Sequence, residues 1–300
     1  MILNADSLSG ALAALFGEGV RVLERRPVYG GDINQSCRLT LSDGTAVFMK
    51  ANAPGNRSFF GAEAQGLEAL RRTGTIGVPR ALAIGTDEAQ GISFLLMEYL
   101  EAASRIDKYW ETFGRELAAM HRADCRHATR DGRLPYGFAS DNFIGASPQI
   151  NAPKESWIAF FRECRLAPQF QWAEGYFDVR TRSRFAKLLD HLGDYLPEPE
   201  FPSLLHGDLW SGNAVCGPDG RAWILDPAVY AGHFEAELAM TQLFGGFPAA
   251  FYGAYSEINR IDGSYRDRRD LYNLYHLLNH LNLFGGAYRN SVQMIVDRYV

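Results

Sequence analysis

The stretch that decides the fold is residues 204–213, which read LLHGDLWSGN and are followed by WILDP at residues 223–227. Asp208 and Asn213 have the spacing D-x-x-x-x-N, in which a kinase catalytic loop places an Asp that contacts the attacking hydroxyl and an Asn that holds Mg²⁺. The turn sequence GPDG before Asp226 predicts a hairpin that brings Asn213 and Asp226 side by side. This pattern is typical of a phosphotransferase; the alternative is an ordinary hairpin whose Asp and Asn residues only make turns.

Composition and charge exclude several other classes of protein. The 300-residue chain is long enough for two lobes, and 47% hydrophobic with 22% charged residues is typical of a globular protein. A formal charge of −5 leaves no basic face for nucleic acid. We expect no membrane segment and no signal peptide, since no apolar run approaches roughly 20 residues. The cysteines are scattered without a C-x-x-C pair, which argues against a zinc site or disulfides and favours the cytoplasm.

The first hundred residues have the layout of a nucleotide-binding lobe. A glycine turn containing Gly30 and Gly31 separates two predicted strands, and Lys50 comes late in a third. Glycines let backbone N–H groups approach phosphate oxygens, and the lysine supplies a positive charge for them. The three strands are predicted at residues 20–28, 37–41 and 46–50.

A helix predicted at residues 59–72 carries two acids that could hold Lys50 in place, as one helix carboxylate does in a kinase. Glu63 is the better candidate because it lies one turn into the helix. Glu68 is better placed to pair with Arg71 or Arg72.

A buried strand predicted at residues 92–100 leaves the sheet through Met97, Glu98, Tyr99 and Leu100. These four residues are the candidates for a hinge whose backbone groups meet an adenine edge, and a plain core strand is the alternative. The predicted division is an N-terminal lobe at 1–97, a hinge at 98–101 and a catalytic and substrate-binding lobe at 102–300. No A-P-E motif or long activation segment follows Asp226, so a small-molecule kinase is favoured over a protein kinase.

Polar residues on two helices of the second lobe allow a structural or a functional interpretation. His121, at the end of a predicted helix, is better explained as a histidine hydrogen-bonded in the core than as a catalytic one. The predicted helix at 271–284 carries a polar stripe among leucines, and buried amides and imidazoles must find partners. Sugar hydroxyls or core hydrogen bonds would both serve for the stripe, which consists of His276, Asn279, His280 and Asn282.

The catalytic loop and its continuation closely resemble the fructosamine kinase (ketosamine-3-kinase) family, within the aminoglycoside-phosphotransferase and choline-kinase superfamily. The interior Leu–Trp–Ser of the loop and the continuation D-P-A-x-x-x-G-H narrow the resemblance to this family. Some members carry a cysteine in the glycine loop, whereas the nearest cysteine here is Cys37. The matching segments span nearly the whole chain: residues 30–34, 141–145, 168–169, 206–213, 226–240, 244–248 and 271–280.

The resemblance implies an α+β, bilobal protein-kinase-like fold, with a small antiparallel β-sheet lobe carrying one main helix and a larger, mainly helical lobe. It implies ATP-dependent phosphorylation of a ketosamine at O3, free or on protein lysines, which serves deglycation. Asp208 would be the base, Asn213 and Asp226 the Mg²⁺ ligands, and Lys50 the phosphate contact oriented by Glu63. Two other functions remain open: an aminoglycoside or choline-type kinase, and a pseudokinase that binds nucleotide without turnover.

The acceptor is expected to lie near Trp210, two residues after the base. An indole stacks on the apolar face of a sugar, and amides and imidazoles suit neutral hydroxyls, so His233, Asn279 and His280 are the other candidates for substrate contact. Trp210 could instead be a wedge packed under the catalytic loop. The expected assembly is a monomer.

Overall fold

The structure is a computed structural model that describes residues 2–28, 34–130, 132–133 and 135–300. Contacts divide the chain into two compact units. The first unit is Met1–Tyr109 with Gly212–Pro227, and the second is Trp110–Ser211 with Ala228–Val300. The hairpin that carries Asn213 and Asp226 therefore belongs to the first unit by contact, whereas the sequence placed it in the lobe at 102–300. The functional division into a nucleotide-binding lobe at 1–97, a hinge at 98–101 and a catalytic lobe at 102–300 stays a prediction.

The first unit is built on a six-stranded sheet of order β1-β5-β6-β4-β3-β2. The strands are β1 Leu3–Ala5, β2 Val22–Pro27, β3 Gln35–Leu41, β4 Ala46–Asn52, β5 Ala81–Asp87 and β6 Ile92–Glu98. The helices are α1 Leu8–Phe16 and α2 Arg57–Arg72. The predicted α+β kinase-like fold is confirmed, with one difference: β1 pairs parallel to β5, so the sheet is mixed rather than antiparallel. Strand β1 was not predicted because its three residues are too few to show the apolar–polar alternation that identifies a strand in a sequence.

The alternation of β4 decides what lies on each face of the sheet. Val47, Met49 and Ala51 belong to a buried apolar cluster that also contains residues of α1. Lys50 points to the other face because successive strand side chains alternate, and there it meets α2. The sequence of β4 therefore places Lys50 on the face of the sheet opposite the apolar cluster.

A two-stranded hairpin completes the first unit, with β10 Ala214–Cys216 antiparallel to β11 Ala222–Ile224. Gly77 forms a parallel bridge to Trp223, and the Ile224 N–H donates to the carbonyl of Gly77 (2.9 Å). A Cβ at Gly77 would lie 2.4 Å from the Trp223 ring, so only glycine permits this approach. The hairpin is thereby fixed to the chain segment between α2 and β5.

The second unit is mainly helical, and its central helix is α9. The helices are α3 Tyr109–Arg122, α4 Trp157–Phe161, α5 Ala167–Ala173, α6 Val179–Asp190, α7 Phe234–Leu243, α8 Ala249–Ser256, α9 Tyr265–Phe284 and α10 Arg289–Tyr299, with a π-helical turn at Arg162–Leu166. Short antiparallel pairs join β7 Asn142–Ile144 to β8 Ser147–Gln149 and β9 Ser203–Leu205 to β12 Tyr230–Gly232. Among the described residues, none of the helices has the length and apolar character needed to cross a membrane.

Candidate active site

Lys50 is held between two carboxylates in the first unit. Its Nζ lies 2.6 Å from Glu63 Oε1 and 2.5 Å from Asp226 Oδ1, and the residue is 6% exposed. Burial by itself would lower the pKa of Lys50, but the two carboxylates outweigh it and raise that pKa above its usual value. The lysine is therefore a fixed positive charge at neutral pH.

The two acids of α2 have different surroundings. Glu63 is buried against Lys50, and burial raises the pKa of its carboxyl while Lys50 opposes that shift. Glu68 lies 3.1 Å from both Arg71 and Arg72 near the surface. The geometry thus joins Lys50 to Glu63 and gives Glu68 the arginine partners expected from the sequence.

Asp226 stands at the end of the hairpin in an unusual backbone conformation. Its φ of +57° is in the left-handed region, where residues other than glycine are uncommon, and Pro227 follows. The Leu225 N–H donates to the carbonyl of Asn213 (2.9 Å), which sets Asn213 opposite the residue before Asp226. About half of the Asp226 side chain (46%) is exposed, so its oxygens can be reached from solvent.

The donor atoms at this end of the hairpin suit one class of metal ion. Asp226 offers carboxylate oxygens and Asn213 an amide oxygen, which are hard ligands of the kind Mg²⁺ prefers. Within the described residues, no group of three or more His, Cys, Asp and Glu side chains could hold a metal by itself. A pair of protein ligands fits Mg²⁺, because this ion takes most of its ligands from phosphates and water.

The hinge candidates continue the central strand β6. Met97 is buried and pairs with Phe48 on one side and Ala81 on the other. Glu98 exchanges hydrogen bonds with Arg80, donating its N–H to the Arg80 carbonyl (3.0 Å) and accepting the Arg80 N–H at Oε1 (2.7 Å). Tyr99 and Leu100 follow the strand and are half-buried.

The glycine turn lies outside the described residues, and with it the predicted phosphate contacts of Gly30 and Gly31. The strands on either side are described: Pro27 pairs with Cys37 in the β2–β3 register. Asn34, the first residue described after the turn, accepts a hydrogen bond from the side chain of Asn52 (2.8 Å).

In the second unit, Asp208 follows a tightly held backbone turn. The N–H groups of His206 and Gly207 both donate to the buried carboxylate of Glu237, at 3.0 Å and 2.7 Å. On the other side of the turn, the His206 carbonyl accepts from Ala228 N–H (2.8 Å). Gly207 has a φ of +84°, and a Cβ there would lie 2.0 Å from the Ala228 carbonyl oxygen, so this position requires glycine.

A buried amide cluster holds the chain directly after Asp226, and the sequence did not assign it a role. Asn142 donates to the carbonyl of Val229 (2.8 Å), and Gln149 donates to that of Ala228 (2.9 Å). Asn151 donates to Asn142 Oδ1 (2.9 Å). The segment 141–145, quoted for its resemblance, thus has a structural role, because its Asn142 fixes the backbone that leaves the hairpin. The signal was the concentration of Asn and Gln near residues 141–151.

The four candidate substrate residues fall into two pairs. Trp210 is 36% exposed and meets Phe244 edge to face (6.3 Å between ring centroids), and Phe244 lies 4.7 Å from the ring of His280. The structure therefore joins Trp210 to His280 through one aromatic ring. The indole is not buried under the loop.

His233 and Asn279 are buried and bonded to protein groups. His233 Nδ1 contacts the Tyr272 hydroxyl (2.8 Å), and burial, reinforced by Arg268, lowers the pKa of His233 to about 3. Asn279 Oδ1 accepts from the Gln169 side chain (3.1 Å). Part of the polar stripe of α9 therefore finds its partners in the core.

Comparison with known proteins gives a consistent result. A family profile described as "Fructosamine kinase" matches residues 5–300. A ketoamine kinase candidate of Synechocystis is 43% identical over 98% of this chain and 96% of its own length. The chloroplastic protein-ribulosamine 3-kinase of Arabidopsis thaliana is 38% identical over 95% of this chain and 85% of its own.

Solved structures agree with these relatives. The crystal structure of a fructosamine-3-kinase candidate from Haemophilus somnus matches with a TM-score of 0.84 at 30% identity, over 98% of this chain and 97% of its own. A choline kinase of Streptococcus pneumoniae shares the fold alone, with a TM-score of 0.57 at 15% identity over 97% of this chain and 96% of its own.

Proposed function

The chain belongs to the fructosamine kinase family, and from this premise we propose that it phosphorylates the O3 hydroxyl of ketosamines. It is a kinase with an alcohol group as acceptor, and the family uses ATP. The observation that carries the site assignment is Lys50 fixed between Glu63 and Asp226. The ammonium group of Lys50 supplies the positive charge that phosphates require, and the half-exposed carboxylate of Asp226 beside it is accessible to a metal ion.

The roles follow from the position of each residue. Lys50 contacts phosphate oxygens of ATP, and Glu63 keeps its ammonium group in place. Asn213 and Asp226 would hold Mg²⁺, which would neutralise phosphate charge when bound. The hinge residues 97–100 and the glycine turn would contact the rest of the nucleotide.

Asp208 is the proposed base. It orients the acceptor hydroxyl and accepts its proton as the new bond from that oxygen to the γ-phosphorus forms and the bond to the ADP oxygen breaks. Phosphoryl transfer depends mainly on positioning, so the tightly held backbone before Asp208 supports this role.

Trp210 and His280 are the proposed acceptor contacts, since both retain exposure and are linked through Phe244. An indole and an imidazole suit a hydroxylated, modestly charged acceptor better than a polycation. His233 and Asn279 would support the site indirectly, because their bonds to Tyr272 and Gln169 fix helix α9, which carries His280. A cytoplasmic monomer remains our expectation.

The test is an ATP-consumption assay with fructose-, ribulose- and erythrulose-amines, free and on protein lysine, beside kanamycin and choline. We expect a ketosamine to be preferred and the phosphate to be found on O3 by NMR. Asp208→Asn should keep the fold and nucleotide binding but lower kcat by about two to four decades, the range for loss of a positioned base.

Two variants refine the acceptor assignment in the same assay. Trp210→Ala should raise the KM for the ketosamine with little change for ATP. Trp172→Ala is the matched control, because Trp172 is an exposed tryptophan of α5. Preference for kanamycin or choline, or near-normal turnover by Asp208→Asn, would contradict the proposal.

A further inference from the structure

Arg165 is a fully buried cation in the second unit, and the reaction proposed above does not use it. Its guanidinium packs on the ring of Tyr230, with 3.9 Å from Cζ to the ring centroid. It donates to the carbonyls of Ile150 (2.6 Å) and Cys164 (2.9 Å) and to Oδ1 of Asn151 (2.8 Å), and among the described residues none of its hydrogen bonds reaches a carboxylate. A buried cation without an ionic partner is costly, which indicates that its donors serve a purpose other than stability.

Arginine can only donate hydrogen bonds, so Arg165 sets the orientation of the Asn151 amide. With Oδ1 of Asn151 turned toward the guanidinium, its Nδ2 donates to Oδ1 of Asn142 (2.9 Å). Gln149 Nε2 donates to the same oxygen (2.7 Å). The Nδ2 of Asn142 is thereby directed at the carbonyl of Val229 (2.8 Å). The chain of hydrogen bonds that begins at Arg165 thus ends on the backbone of residue 229.

This backbone directly follows a residue in a strained conformation. Asp226 has a φ of +57°, and a residue other than glycine keeps such a conformation only when its surroundings hold it there. The amide cluster described above binds two consecutive carbonyls just after it, those of residues 228 and 229. Only Pro227 separates Asp226 from the first of these carbonyls, so the cluster restricts the directions in which the Asp226 carboxylate can turn.

We propose that Arg165 is a positioning residue for Asp226 and acts through Asn151 and Asn142. The inference rests on the proposed function in one respect, the role of Asp226 as a Mg²⁺ ligand. Arg165 is buried among protein groups, and its effect reaches the site through the backbone. Side chains that orient a metal ligand from outside typically change metal affinity about 10- to 100-fold when they are replaced. Loss of direction in the cluster should therefore weaken the part of nucleotide binding that depends on Mg²⁺.

The first test separates positioning from stability. Asn151→Asp gives Arg165 a carboxylate partner but leaves no N–H group to donate to Asn142. Oδ1 of Asn142 would then face a carboxylate oxygen, so this amide must turn or move away from Val229. The new ion pair offsets the lost hydrogen bonds, and the variant should remain folded. We expect its affinity for ATP in Mg²⁺ to fall about 10-fold and its affinity for ATP in EDTA to stay within about twofold, as measured by calorimetric titration without an acceptor.

Asn259→Asp is the matched control. Asn259 is also buried, accepts from an arginine (Arg122 Nε, 2.5 Å) and donates to a backbone carbonyl (Ala118, 3.0 Å), but it lies outside the amide cluster. The same charge is therefore introduced beside an arginine in both variants, and a general effect on packing would appear in both. Asn259→Asp should bind ATP in Mg²⁺ within about twofold of the wild type, whatever its melting temperature.

The second test asks whether Arg165 acts through Asn142. Arg165→Met keeps an unbranched side chain against Tyr230 but has no donor for Asn151, and Asn142→Leu removes the amide that reaches Val229. Each variant alone should lower the affinity for ATP in Mg²⁺ about 10-fold. Because both act on one chain of hydrogen bonds, the double variant should be little worse than Asn142→Leu alone. Fully additive losses would overturn the route through Asn142.

Amide hydrogen exchange in the full chain gives a readout that needs no nucleotide. The N–H groups of Ala228 (2.8 Å) and Ala231 (2.7 Å) each donate to a backbone carbonyl, so their exchange reports the order of this segment. Exchange at both positions should be faster in Asn151→Asp and Arg165→Met than in Asn259→Asp.

The outcomes distinguish this inference from the proposed function. Wild-type exchange and wild-type affinity for ATP in Mg²⁺ in the Asn151 and Arg165 variants would overturn the inference, and so would an equal loss of affinity in Asn259→Asp. A wild-type protein that binds ATP equally well in Mg²⁺ and in EDTA would overturn it together with the metal assignment. Absence of turnover with every ketosamine, with the Mg²⁺ effect intact, would overturn only the proposed acceptor.

Discussion

Glu63 in the first unit and Glu237 in the second are both buried carboxylates beside proposed catalytic groups, but they are stabilised differently. Glu63 faces the ammonium group of Lys50, whereas Glu237 accepts two backbone N–H groups and an imidazole. In the proposed function Lys50 also contacts phosphate oxygens, so its bond to Glu63 would orient a group that acts on the nucleotide. The two backbone donors to Glu237 belong to the turn that precedes Asp208. The first arrangement suits a charge that contacts a ligand, and the second suits a backbone that must not move.

The largest effect is expected from a steric clash in the turn whose N–H groups donate to Glu237. Gly207→Ala places a Cβ 2.0 Å from the Ala228 carbonyl oxygen at a φ of +84°, so the turn must move. We expect a loss of stability of about 2–4 kcal/mol and a fall in kcat of at least about 100-fold. Urea unfolding and steady-state kinetics measure the two effects. Gly253→Ala, in helix α8 with open space at its Cβ, should be neutral or stabilising. A Gly207→Ala protein with normal kcat would show that the turn can move freely.

An intermediate effect is expected when Lys50 loses the negative charge of Glu63. Glu63→Gln should lower kcat/KM for ATP about 10- to 100-fold, matching roughly 1.5–3 kcal/mol for a hydrogen bond to a charged group. Asp226 would remain as the partner of Lys50. The control is Glu68→Gln, which only releases surface arginines and should change kcat/KM less than twofold. Equal effects of the two variants would remove the distinction between the acids of α2.

The smallest effect concerns His233, a buried imidazole whose pKa is lowered. Folded His233 has a pKa of about 3, against about 6.5 for an unfolded histidine. As pH falls from 6.5 towards 3, His233 becomes protonated in the unfolded state but stays neutral in the folded state. The free energy of unfolding therefore decreases with falling pH. Burial also lowers the pKa of His276, so this histidine contributes to the pH dependence with the same sign.

His233→Asn keeps an acceptor for Tyr272 and should reduce the pH slope of the unfolding free energy by up to about 1.4 kcal/mol per pH unit. Urea unfolding at pH 7 and pH 5 measures this slope. An unchanged slope in His233→Asn would mean that His233 is protonated in the folded protein.

The hairpin was predictable from local spacing, whereas the burial of side chains whose partners are distant in the chain was not. Asn213, the GPDG turn and Asp226 lie within one short stretch, so turn chemistry alone brings the ends of the hairpin together. The burial of Asn279 was not predictable, because its partner Gln169 is 110 residues away in the chain. Glu237 was hidden for a similar reason: an acid in a first helical turn usually faces solvent, and only the fold shows the backbone amides that it meets.

The bridge between Gly77 and Trp223 has a consequence for synthesis of the chain on the ribosome. The sheet of the first unit emerges early, but the hairpin that completes this unit emerges only after the whole of segment 110–211 has been made. A nascent chain that ends before residue 226 already contains Lys50 and Glu63, yet it lacks the second carboxylate that flanks the lysine. The unit that begins first in translation is therefore finished late, so its maturation waits for most of the second unit to leave the exit tunnel.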